Sequence, residues 1–146
     1  MGYRSSLRGR IRIEPPVPAK VLAQSRFMPG DTYPQTSVVY DVQTVVRETD
    51  EGELTVRRVA GLVCPYEEEA KHYAVAEELC DIAAELPAGH AMVGELIRVG
   101  EENPDVERFR MAGDGRTVLV EQARVLWSDG TEFDLRVYWA DPTEPG

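Results

Sequence analysis

Three arginines, Arg8, Arg10 and Arg12, stand at alternate positions in the segment Leu7 to Ile13. In an extended chain they share one face and form a stripe about 13 Å long at ~3.3 Å per residue. Guanidinium groups in that array suit a phosphate or carboxylate, because each offers a planar fork of donors. They are therefore the candidate anion-binding residues; the plain structural reading is a solvated strand face paired with nearby acids. On this reading the triple substitution Arg8→Ala, Arg10→Ala, Arg12→Ala leaves folding intact and removes anion binding. A second charged group, Glu67, Glu68, Glu69, Glu77, Glu78 and Asp81, reads as an acidic interaction face on a helix.

Metal and nucleophile chemistry has fewer supports. Glu68 and His72, four apart on a helix, would project together and offer two metal ligands, but nothing nominates a third. Glu101, Glu102, Asn103, Asp105 and Glu107 crowd one loop without the spacing of a calcium loop. A minor metal-dependent hydrolase using Glu101, Glu102, Asp105 and His72 or His90 is the enzymatic alternative. Cys64 and Cys80 form no C-x-x-C pair and read as buried thiols. There is no phosphate-binding glycine loop, nucleophile elbow or H-E-x-x-H helix. No catalytic residue, metal ligand set or cofactor is assigned.

The elements that position these residues follow from periodicity. Leu7, Ile11 and Ile13 alternate with the arginines, giving a half-buried strand that Pro15 and Pro16 should stop. Pro18 can open a short helix to about Ser25. A hairpin follows, Val38 to Val46 and Leu54 to Val63, around the turn Asp50-Glu51-Gly52, longer than the tightest type. Val75, Leu79, Ile82 and Leu86 lie on one stripe of a helix expected from about Glu67 to Leu86. Strands are expected at Met92–Val99, Glu107–Ala112, Arg116–Trp127 and Thr131–Trp139. Tyr3, Tyr66, Tyr73, Tyr138, Trp127 and Trp139 are candidates for a pocket or interface, and the plainer reading puts Trp139 with Phe133, Leu135 and Val137 on the core face. The fold class is α+β: a mostly antiparallel sheet of six to seven strands, with one long and one short helix packed on it.

The chain has 146 residues, 42% hydrophobic and 29% charged, enough for one domain, taken as residues 1–140 with a frayed tail at 141–146. Its net charge is −10, yet residues 1–26 hold six bases and one acid. Such a balance disfavours direct nucleic-acid binding. No apolar run approaches a membrane span, and the first residues lack the apolar core of a secretory signal, so a cytoplasmic protein is expected.

Some motifs have a familiar arrangement. Met1-Gly2-Tyr3-x-Ser5 and Gly9-x-Ile11-x-Ile13-x-Pro15-Pro16 resemble the opening of an uncharacterised family of small actinobacterial and bacteriophage proteins. Ser25-x-Phe27-x-Pro29, Ala70-Lys71-x-Tyr73, Gly94-Glu95 and Gly100-Glu101-Glu102 match it further. Pro104-Asp105 stands where that family has Gly-Asp, and Arg108-Phe109 only loosely echoes its Trp-Arg. The resemblance implies an actinobacterial or mobile-element context and carries no functional residues.

These features together favour a non-enzymatic binding module for a protein or a small anionic ligand. The alternatives are an acidic decoy of a host nucleic-acid-binding protein, the hydrolase, and a self-assembling protein whose sheet edge pairs with a copy. Oligomeric state is not legible.

Overall fold

A computed structural model describes residues 2–30, 35–102 and 104–133. Its six strands are β1 (Ser5–Pro18), β2 (Val39–Thr49), β3 (Gly52–Val63), β4 (Ala91–Gly100), β5 (Val106–Met111) and β6 (Val118–Gln122). They form one sheet in the order β2-β3-β1-β4-β5-β6, with every neighbouring pair antiparallel. One α-helix, α1 (Val75–Glu85), packs against it. The fold is α+β in the broad sense and predominantly β.

The alternation in β1 sets the whole arrangement. Leu7, Ile11 and Ile13 are buried and meet Met92 and Leu96 of β4, Leu62 of β3, and Val75, Leu79, Ile82 and Leu86 of the helix segment. Each buried aliphatic side chain contributes ~1.5–3 kcal/mol. Gly9 and Gly94 lie on this same side with φ of 111° and 127°. A Cβ at Gly94 would stand 2.5 Å from the Arg10 carbonyl oxygen, so a side chain there would push the two central strands apart. The opposite side of the sheet has no helix over it among the described residues.

Several expected elements are corrected. The prolines do not stop β1, which continues to Pro18. They fall after its last pairing with β4, at Glu14–Ala91, and before it rejoins β3 at Val17–Val59. No ladder donor is required of them there. The short helix is only a single 3-10 turn, Ala19–Leu22. The hairpin turn is the two-residue type, because Thr49 pairs directly with Gly52, whose φ is 116°.

The long helix starts eight residues later than expected, at Val75. The stripe Val75, Leu79, Ile82, Leu86 is buried as its spacing predicts. Residues 64–74 instead form a strap along β1. The ladder between β3 and β1 begins at Ile11–Leu62, which leaves the flank of residues 5–8 without a neighbouring strand. Ala70 fills it, exchanging backbone bonds of 2.8 and 2.9 Å with Ser5. A helix through Ala70 would leave those Ser5 groups unpaired.

At the other end of α1, Arg116 donates to the carbonyls of Ala83, Leu86 and Pro87 at 2.6, 3.0 and 2.6 Å. This satisfies oxygens that a helix end leaves without partners. Strand β6 stops at Gln122, short of the expected Trp127, and Leu126 then makes an isolated bridge to Glu132. The remainder of the expected last strand, with Trp139, and the tail 141–146 lie outside the described residues. No helix among the described residues is long and apolar enough to cross a membrane.

Candidate functional site

The three candidate arginines do stand on one face, the open one, but their surroundings differ. Arg8 donates to the carbonyls of Tyr66 and Glu67, at 3.3 and 2.6 Å. It holds the strap and is not free to serve an anion, so the triple substitution is not neutral to structure. Replacing Arg8 with Ala should lower stability by about 1 kcal/mol, since it removes two exposed charge-assisted bonds. Faster hydrogen exchange confined to residues 64–74 would verify this; unchanged exchange there would contradict it. Arg10 pairs with Asp41 of β2 at 2.8 Å and Arg12 with Glu14 at 3.3 Å.

The registers continue this face beyond β1. Arg8, Arg10 and Arg12 sit opposite Ile97, Glu95 and Val93 of β4, and Ile97 and Glu95 sit opposite Arg108 and Arg110 of β5. Glu121 of β6 accepts from Arg108 at 2.7 Å and from Arg110 at 2.9 Å. Arg108 lies 3.7 Å from Glu95. Val93, Ile97 and Val99 are each more than a third exposed. A β4 row of Val93, Glu95, Ile97 and Val99, aliphatic at three of its four positions, thus runs between arginine rows on β1 and β5. Alternation in the sequence marks the first row but not the second, because only the strand register brings Arg108 and Arg110 to the same face.

The acidic residues do not share a face. Glu67, Glu68 and Glu69 are exposed on the strap. Of the helix acids, Asp81 pairs with Arg26 at 2.6 Å. Glu85 accepts from Ser25 and Tyr40. Glu78 is buried, and one of its oxygens accepts the backbone N–H of Ser37 at 2.8 Å and of Val38 at 3.2 Å. Burial pushes its carboxyl above the ordinary range, opposed by those bonds.

A cleft of ≈ 840 Å³ lies between the strap and residues 35–37, lined by Arg4, Ser37, Tyr66, Lys71, Tyr73 and Glu78 among others. Beside it His72 is buried, its Nδ1 2.8 Å from the Ser37 hydroxyl and its Nε2 4.0 Å from the Cys64 sulfur. The order thiol, imidazole, hydroxyl suits nucleophilic catalysis in outline. The electrostatics oppose it. Burial raises the Cys64 thiol above its ordinary value, and burial with the nearby Arg98 charge lowers His72. Both shifts favour the neutral forms, so the thiolate that such chemistry uses is disfavoured.

The metal alternatives find no geometry either. Among the described residues no group of three or more His, Cys, Asp or Glu is placed to hold a metal ion. Glu68 and His72 do not share a helix, since both lie on the strap. Asp105 and Glu107 instead embrace Arg98, at 2.6 and 2.5 Å, and Tyr3 donates to Asp105 at 2.7 Å. The Arg98 contact holds the Asp105 carboxyl below its usual range, with the Tyr3 bond acting the same way. His90 lies 2.6 Å from the Pro15 carbonyl through Nδ1, on another part of the surface. Cys80 is exposed on α1, not buried.

Fold and site together define a one-helix α+β domain whose sheet is covered on one side and presents arginine and aliphatic rows on the other. The chain belongs to the family of unknown function DUF6205, whose profile matches residues 1–136. No curated protein and no solved structure matches it.

Proposed function

We propose that this protein is a non-enzymatic binding module that docks an acidic segment of a partner protein on the open sheet face. The observation that carries this reading is the β4 row Val93, Glu95, Ile97, Val99, three of its four side chains aliphatic, between the arginine rows of β1 and β5, in a chain of net charge −10. Arginine with apolar neighbours is the composition of protein interfaces. A free small anion is the weaker fit, because the guanidiniums are spread along strands and do not converge on a pocket. Single-stranded nucleic acid is weaker still: these rows contain no aromatic side chain on which bases would stack. The actinobacterial or phage setting that the motif resemblance implies belongs to the same proposal.

A labelled peptide of alternating Glu and Leu tests it by fluorescence anisotropy, with oligothymidine and inorganic phosphate as competitors. The expected result is peptide binding that weakens about tenfold in an Arg10→Ala, Arg12→Ala, Arg110→Ala variant, as for loss of central arginine anchors. Arg8 is left in place so that the strap is undisturbed. Equal affinity in wild type and variant would defeat the assignment, and displacement by oligothymidine at trace concentration would reassign the face to nucleic acid.

A further inference from the structure

Among the described residues strand β2 ends the sheet, and its outer edge has a sequence that is complementary to itself. Tyr40 directs its N–H away from β3, donating to the Phe27 carbonyl at 2.8 Å. Orientation alternates along an antiparallel strand, so Val42, Thr44 and Val46 also turn their N–H and C=O groups outward. Among the described residues no other strand pairs there. A long unpaired edge of this kind is a template for another strand.

We propose that a second copy of this chain pairs antiparallel with β2 about a two-fold axis through Thr44. In that register Thr44 faces its own counterpart and exchanges both backbone bonds with it. Val42 lies opposite the partner subunit's Val46, Gln43 opposite the partner subunit's Val45, and Asp41 opposite the partner subunit's Arg47. Symmetry makes each unlike pair occur twice. Aliphatic, Thr–Thr and opposite-charge pairs are the cross-strand combinations that stabilise a sheet.

The faces also agree. Asp41 points to the open side, where it meets Arg10, and Tyr40 points into the core. Pairing residues of equal parity therefore joins open face to open face. Val46 is 56% exposed in the single chain, and Arg47 has no ion pair among the described residues. The neighbouring registers are worse. Centring on Val46 sets Asp41 against the partner subunit's Glu51. Centring on Val42 brings the middle of the partner strand against Tyr40, whose N–H Phe27 already takes, whereas centring on Thr44 brings only the strand's end there.

This pairing does not rest on the peptide-binding reading, since it uses the sheet edge and not the arginine rows. Two chains of net charge −10 repel at long range. At about 0.15 M salt that repulsion is screened beyond ~8 Å, so local pairs decide the outcome.

Sedimentation equilibrium of the full chain at that ionic strength, up to sub-millimolar concentration, tests it. Wild type should show a reversible monomer–dimer equilibrium. Arg47→Asp alone, and Asp41→Arg alone, each set like charges opposite one another and should weaken the dimer about tenfold. An equimolar mixture of the two restores both opposite-charge pairs and should recover the dimer. Circular dichroism of each variant checks that it is folded, and the mixture serves as an internal control. A monomeric wild type, variants that dimerise like wild type, or a mixture that stays monomeric would each overturn the proposal.

Discussion

Replacing Arg98 with Leu should lower unfolding free energy by about 2–3 kcal/mol, with an unchanged urea m-value. The guanidinium is nearly buried on the helix side of β4, with 9% of its side chain exposed. It is held by Asp105, just before β5, and by Glu107 on that opposite strand. Removing it strands two half-buried carboxylates side by side, which repel each other and have lost their cation. The effect sits below the largest known for buried pairs because water still reaches both acids. The N-terminal segment should loosen too, since Tyr3 is anchored on Asp105 and accepts the Glu102 N–H at 3.0 Å. A loss under about 1 kcal/mol would show that the cluster is incidental.

Glu78→Ala should be of similar size, about 2–4 kcal/mol, for another reason. It leaves the N–H groups of Ser37 and Val38 buried without acceptors, and each such group costs ~1–3 kcal/mol. Both residues are buried. The pH dependence separates this from simple packing loss. Glu78 has a folded-state value raised above its ordinary 4.5 by burial. Between those two values the folded chain binds more protons than the unfolded one. Its contribution therefore grows as pH falls through that window and is lost as pH rises through the folded value. Asp105 acts in the opposite sense, its lowered value giving stability that is lost as pH falls through it. Stability of Glu78→Gln minus wild type, followed across mildly acidic pH, should become less favourable to the variant as pH is lowered. A difference independent of pH would contradict a raised Glu78.

Much of the sheet was legible because alternation and turn chemistry are local. Leu7, Ile11 and Ile13 announce β1, and the helix stripe announces α1 in register if not in length. What failed was decided across the chain. Glu67 to Leu86 has a plausible acidic helix start, yet the unpaired flank of β1 at Ser5 claims Ala70 and delays the helix. The acids after Gly100 read as a crowded loop, and nothing in their own spacing names Arg98 of β4 as their partner. The hairpin register of β4 with β5 sets Arg98 directly opposite Glu107. Cys64 and His72 of the strap likewise meet Ser37 from a separate segment before β2, and no spacing in the sequence signals their meeting. The arginine stripe was visible only by half, since its second row belongs to β5.

Ligand recognition on the open sheet face, and not in the cleft beside the strap, has a direct test. Backbone amide shifts, recorded while the alternating Glu-Leu peptide is added to wild type, locate the contact directly. The perturbed amides should cluster on β1, β4 and β5 around Arg10, Val93, Ile97 and Arg110, with residues 35–37 and 65–74 unmoved. Shifts concentrated at Ser37, Tyr66, Lys71 and Tyr73 would contradict it and place recognition in the cleft.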